Sequence, residues 1–102
     1  MSSGPLRAAD AAALPAEMLI AEAPRPGGPQ ALIVGRRPVP QPAAGELLIE
    51  VDAAGLNRAD VLQREGRYPP PPGAPDYPGL EVAGRVRACA ADVREFSAGE
   101  RV

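Results

Sequence analysis

Ala53-Ala54-Gly55-Leu56-Asn57-Arg58-Ala59-Asp60, taken up again at Pro78-Gly79-Leu80-Glu81-Val82-Ala83-Gly84, is the stretch on which the fold turns. Just upstream, Leu47, Ile49 and Val51 alternate with Leu48, Glu50 and Asp52. That period of two puts one apolar row inward on a β-strand, which Gly45 opens. Gly55 ends this strand or marks a bulge. Asn57 suits a helix N-cap, and Asp60 at the third helical position supports it. A short helix is therefore expected over residues 57–65, with Val61 and Leu62 on its buried side and Gly66 as its terminator. Beyond Pro78, residues 80–89 read as another strand, with Val82, Gly84 and Val86 on one face.

The same reading extends to both sides. Residues 1–16 read as a disordered or weakly helical extension: Ala8 to Ala13 favour helix but have no apolar face to bury, and Pro15 stops them. Met18 is an alternative start. Residues 17–23 form a first strand and 31–37 a second, separated by a turn at Pro24-Arg25-Pro26-Gly27-Gly28-Pro29. Pro38-Val39-Pro40-Gln41-Pro42 must be extended, because proline disfavours helix for itself and its predecessor. The proline-rich run from Tyr68 to Pro78 is a stiff loop, and residues 96–102 begin a turn and one more strand. Short strands, many turn residues and one small helix predict a mostly β domain over residues 17–102, shaped as a partly open β-barrel.

Composition narrows the function. The 102 residues allow one domain at most. The net charge is −2 and all eleven basic residues are arginines, spread along the chain. No clustered basic footprint of a nucleic-acid binder is present. No apolar run reaches the length of a membrane span, and Asp10 interrupts the only N-terminal stretch resembling a leader. Cys89 is the single cysteine, so no intramolecular disulfide exists, which fits a cytoplasmic location. Its setting reads as a half-buried thiol at a strand end. The absence of histidine removes the commonest metal ligand and the commonest general base.

Three stretches carry a family resemblance: Pro24 to Pro29, the run Asn57 to Ala74, and Gly99-Glu100-Arg101-Val102. Together they resemble the zinc-free quinone oxidoreductases of the medium-chain dehydrogenase/reductase superfamily. Residues 57–74 are most similar to its p53-inducible quinone oxidoreductase branch. The last stretch is similar to the family's Gly-Asp-Arg-Val, with Glu in place of Asp. The resemblance covers about residues 17 to 102.

This resemblance implies a GroES-like catalytic domain packed beside a Rossmann domain, with the active site between them and NADPH held by the second domain. That domain's glycine-rich turn places a pyrophosphate at a helix N-terminus. No such motif stands in this sequence, which reaches Val102 before a nucleotide-binding domain begins. The chain alone is accordingly expected to be inactive, supplying the substrate-side wall. Zinc-dependent relatives carry Cys at the position of Asn57 and His at that of Leu80. An amide and an aliphatic group cannot replace a thiolate and an imidazole, so no metal is expected. Glu81 matches a family carboxylate that lies near the metal.

Without a Lewis acid, a hydrogen-bond donor must stabilise the charge developing on a substrate oxygen. Tyr68 is the catalytic candidate: the family places a substrate-contacting tyrosine there, although a loop anchor packed on prolines explains it too. Asn57 is a candidate for both cofactor and substrate, its amide offering two donors and one acceptor, and it is equally a helix cap. Arg58 is a cofactor-binding candidate through a phosphate, or a solvated helix arginine. Asp60 reads as a helix-terminus carboxylate and Tyr77 as a packing residue. The expected function is NADPH-dependent, metal-independent reduction of a quinone or an α,β-unsaturated carbonyl (an enone). The resemblance also allows a homodimer. The alternative is a non-catalytic fragment or a stand-alone β-barrel binding module.

Overall fold

A computed structural model describes residues 14–102. The expected N-terminal extension, save its last three residues, lies outside the described residues. Four strands and one helix follow in order: β1 Glu17–Glu22, β2 Ile33–Pro38, β3 Leu47–Ala54, α1 Arg58–Arg64 and β4 Val82–Cys89. A single 3-10 turn, Pro29–Ala31, lies between β1 and β2. The fold is mostly β with one short helix, as expected; among the described residues the strands form two small antiparallel sheets, β1 with β2 and β3 with β4, and no closed barrel. The chain divides into two compact units. One contains Pro38–Ala53 and Val82–Val102; the other contains Glu17–Arg37 and Ala54–Glu81.

In the first unit the core forms where β4 ends. Val86, Cys89, Ala90 and Val93 are buried there, with Leu47 and Phe96 packed against them. Along β4 the period of two holds through Gly84, Val86 and Ala88, and Arg85 faces outward between them. Cys89 was expected to be half-buried; it is fully buried instead, and its Sγ donates to the Phe96 carbonyl at 3.6 Å. The strand's last residues run into the core on both faces, so the strand end is its most enclosed part. The expected inward row of β3 reaches only part of the way. Leu47 and Ile49 are half-buried, but Val51 is 52% exposed. The small core sits beside Leu47, near the start of β3, and Val51 lies beyond it. For the same reason Val82, at the opposite end of β4 from the core, is exposed.

Hydrogen bonds hold the edges of this unit. Gly84 and Val102 exchange two backbone bonds of 3.0 Å, and the Val86 N–H donates to Glu100 O at 2.9 Å. The segment expected as a further strand therefore makes one antiparallel bridge, Arg85 with Arg101, after a turn at Gly99. Before β3, the Gly45 N–H donates to Asp92 Oδ1 at 3.1 Å and the Ala90 N–H to Glu46 O at 3.1 Å.

In the second unit the end of α1 is tied to the loop after β1. The Gly27 N–H donates to Arg64 O at 2.9 Å, and Arg64 Nε donates back to Gly27 O at 3.1 Å. Gly66 follows with φ +81°, a left-handed conformation that glycine adopts without steric cost, so it stops the helix as expected. Across the β1–β2 sheet, Arg37 grips Glu22 through two bonds of 2.8 and 3.2 Å. The Glu22 hydrogen bond is the main reason the Arg37 pKa is raised above its ordinary value, with Asp76 and Tyr77 adding smaller contributions. Gln63 Nε2 donates to Asp76 O at 3.3 Å, a tie between α1 and the proline-rich loop. Among the described residues no helix is long and apolar enough to cross a membrane.

Candidate functional site

Asn57 sits where the chain leaves β3 and enters α1. Its backbone is extended (φ −126°, ψ 155°), as an N-cap requires, and α1 starts at the next residue. The Asn57 N–H donates to Asp60 Oδ2 at 3.0 Å, and the Asp60 N–H donates to Asn57 O at 3.0 Å. The arrangement is that of a capping box in which Asp60 reaches back to the Asn57 N–H, while the Asn57 side chain makes no cap hydrogen bond of its own. The other Asp60 oxygen, Oδ1, is sealed from solvent and has no hydrogen-bond partner among the described residues. An unpaired buried acceptor costs about 1–3 kcal/mol, which the cap and the helix N-terminus partly offset.

The helix period then gathers polar groups. Asn57, Asp60, Val61 and Arg64 are spaced by three, one and three residues, so they share one face of α1. That face borders a cavity of about 300 Å³, lying wholly within the second unit. Apolar wall comes from Ala21, Leu32, Leu56, Val61 and Pro78, and polar groups come from Asn57, Asp60 and Arg64. A mostly apolar hollow with a few convergent polar groups suits a small organic molecule, and the volume is at the lower end for ligand sites.

Glu81 stands behind the lining. Asn57 Nδ2 donates to Glu81 Oε1 at 3.0 Å, and the Gly55 N–H donates to Glu81 O at 2.9 Å. A Cβ on Gly55 would collide with the Glu81 carboxylate, so the missing side chain makes its seat.

The expected site residues are thus distributed unevenly. Asn57 lines the cavity and caps α1 at once. Arg58, the first residue of α1, is exposed and lies outside the lining. Tyr68 is 39% exposed, also outside the lining, past the end of α1. Tyr77 is half-buried, with its ring centre 6.0 Å from the Arg37 guanidinium. Two members escaped the sequence reading. Arg64 was legible as a seventh-residue neighbour of Asn57 on the helix face. The Asn57–Glu81 bond spans 24 residues and left no local signal.

The donor set does not suit zinc. Asn57 presents an amide already bonded to Glu81, and Leu80 is an aliphatic side chain, 63% exposed. Among the described residues no group of three or more His, Cys, Asp or Glu side chains is placed to hold a metal ion.

Residues 43–102 match the alcohol dehydrogenase GroES-like domain family. The chain is 41% identical over 76 residues to the synaptic vesicle membrane protein VAT-1 homolog-like of Mus musculus, covering 74% of this chain and 18% of that protein. It is 40% identical over 77 residues to a quinone oxidoreductase of Lama guanicoe, covering 74% of this chain and 23% of that protein. It is also 46% identical over 63 residues to the trans-enoyl reductase tazE of Aspergillus terreus, covering 62% and 20%. The chain therefore spans about a fifth of the length of the curated relatives it matches. Among solved structures, that of the human VAT-1 homolog-like protein superposes with a TM-score of 0.73 at 34% identity, covering 85% of this chain and 28% of that one.

Proposed function

The chain belongs to the alcohol dehydrogenase GroES-like domain family, within the medium-chain dehydrogenase/reductase superfamily, and from that premise we propose that it forms the substrate-side wall of a metal-independent, NADPH-dependent reductase of quinones or α,β-unsaturated carbonyls. The observation that carries this reading is the apolar cavity with the Asn57 amide in its wall. Relatives named quinone oxidoreductase and trans-enoyl reductase support the substrate class.

Bound NADPH supplies the hydride. The protein's part is to hold the acceptor flat against the apolar wall of Leu32, Leu56 and Val61 and to meet its oxygen with a donor. Were hydride delivered there, negative charge would grow on that oxygen, and an Asn57 N–H fixed in position would stabilise it more than mobile water does. The cofactor's phosphates are assigned to a Rossmann domain working with this chain, because no glycine-rich turn opens α1. Arg58, exposed at the start of α1, is free of the cavity wall and is assigned to the cofactor side. Tyr68 is assigned to the substrate at the loop that follows the helix.

Spectrophotometry of NADPH oxidation by this chain joined to its Rossmann domain, with duroquinone and cyclohex-2-enone as acceptors, tests the reading. Turnover is expected to survive exhaustive dialysis against a zinc chelator, and elemental analysis is expected to find no stoichiometric zinc. Tight zinc whose removal abolishes turnover would overturn the metal-independent chemistry. If Tyr68 meets the substrate from outside the cavity wall, Tyr68→Phe is expected to lower kcat/KM roughly three- to tenfold, the cost of a neutral hydrogen bond. Unchanged kinetics across both acceptors would remove Tyr68 from the site.

A further inference from the structure

We propose that Gly55 and Glu81 form a positioning device for Asn57, which fixes its amide so that a single N–H is presented to a carbonyl oxygen in the cavity. This inference rests on the reductase reading and names the groups that orient its donor.

The Asn57 side chain has two N–H donors and one carbonyl acceptor. An ionised carboxylate only accepts, so the 3.0 Å contact with Glu81 Oε1 must use the amide nitrogen. That settles which way the amide faces. With the nitrogen turned to Glu81, the amide oxygen lies on the side of the helix end, where it makes no cap hydrogen bond because the Asp60 N–H is taken by the Asn57 backbone carbonyl. One N–H remains, on a residue that lines the cavity. A site built this way selects an acceptor oxygen, such as a quinone or enone carbonyl.

Glu81 does not line the cavity, so it acts through Asn57 and is a positioning residue. Its carboxylate stays in reach of Asn57 for two reasons. The Glu81 carbonyl is anchored by the Gly55 N–H at 2.9 Å, and the missing Gly55 side chain leaves the space that the carboxylate fills. Gly55 and Glu81 stand 26 positions apart, yet each is needed for the other's contribution.

Nuclear magnetic resonance of the Asn57 side-chain amide tests the device, with cyclohex-2-enone as the probe. In the wild type, one of the two Asn57 amide protons is expected to shift on titration and the other, held by Glu81, to stay. Glu81→Ala frees the amide and is expected to weaken cyclohexenone binding at least about fivefold. Glu81→Gln retains a carbonyl acceptor and is expected to bind close to the wild type. Gly55→Ala displaces only the tip of a flexible side chain and is expected to match Glu81→Ala while keeping the fold. The double variant Asn57→Ala/Glu81→Ala is expected to bind no worse than Asn57→Ala alone, because both changes remove one unit. Wild-type affinity in both Glu81→Ala and Gly55→Ala would overturn the positioning role alone. If neither cyclohexenone nor duroquinone shifts Asn57 in the wild type, the reductase reading fails and the device falls with it.

Discussion

Gly84→Val is expected to unfold the unit that contains β3 and β4. Gly84 is buried in β4, and the position of its absent Cβ is taken by the backbone of β3: the Glu50 carbonyl oxygen, with the Glu50 carbonyl carbon at 2.9 Å and the Val51 Cα at 3.1 Å. A clash with a flexible side chain relaxes by a rotamer change. Here the obstacle is main chain already committed to the β3–β4 sheet, so the strand itself must move. Gly84 also exchanges two hydrogen bonds of 3.0 Å with Val102, which resist displacement of β4 the other way. Overpacking typically costs about 1–3 kcal/mol and more where the backbone cannot yield. A loss of about 3 kcal/mol or more removes a large share of the roughly 5–15 kcal/mol that holds a domain together. Urea unfolding followed by circular dichroism measures it, with Val82→Ala, at an exposed position of the same strand, as the control. A Gly84→Val midpoint equal to that of the wild type would mean that β3 does not cover Gly84.

The contrast between Gly84 and Asn57 shows what the sequence can and cannot express. At Asn57 the meaning is local. An amide before a helix, an aspartate three residues on and a glycine after Glu65 specify the start, cap and stop of α1, and all three are where the pattern puts them. The strands are legible for the same reason, through short apolar runs between prolines and glycines. Burial is less so. Leu47 and Val51 look alike in an alternating pattern, but only Leu47 reaches the core, whose place is decided by residues 86–96, far along the chain. The pattern gives the face of a strand and not how much of its length the core covers. Gly84 read as one more residue on a face, although its lack of a side chain is the reason β3 can lie over it. Within the candidate site, Arg64 follows from helix geometry, but the Asn57–Glu81 bond joins two segments by folding alone. The nearest signal is the resemblance, which sets Glu81 at a carboxylate lying near the metal of zinc-dependent relatives and Asn57 at the position of one of that metal's ligands.

Asn57→Ser is expected to separate the two duties of the residue with the largest effect on chemistry. Serine caps a helix about as well as asparagine, since its hydroxyl reaches the same backbone N–H groups. Stability is therefore expected to change by less than about 0.5 kcal/mol, whereas Asn57→Ala, which cannot cap, is expected to cost about 1 kcal/mol. The side chain of serine is too short to hold Glu81 and cap α1 while also offering a donor to the cavity. Glu81 is exposed, so water replaces its lost partner at little cost. Removal of one preorganised donor to a developing oxyanion costs on the order of 10²–10³ in kcat. In this chain joined to its Rossmann domain, Asn57→Ser is accordingly expected to lower NADPH-dependent reduction of cyclohex-2-enone about a hundredfold while the protein melts like the wild type. A variant that keeps both its turnover and its stability would reduce Asn57 to a helix cap. One that loses both in step would make the activity loss a consequence of fraying at α1. Only loss of turnover with the fold intact assigns the donor role, because a failing helix start shows itself in stability and a missing donor to the substrate does not.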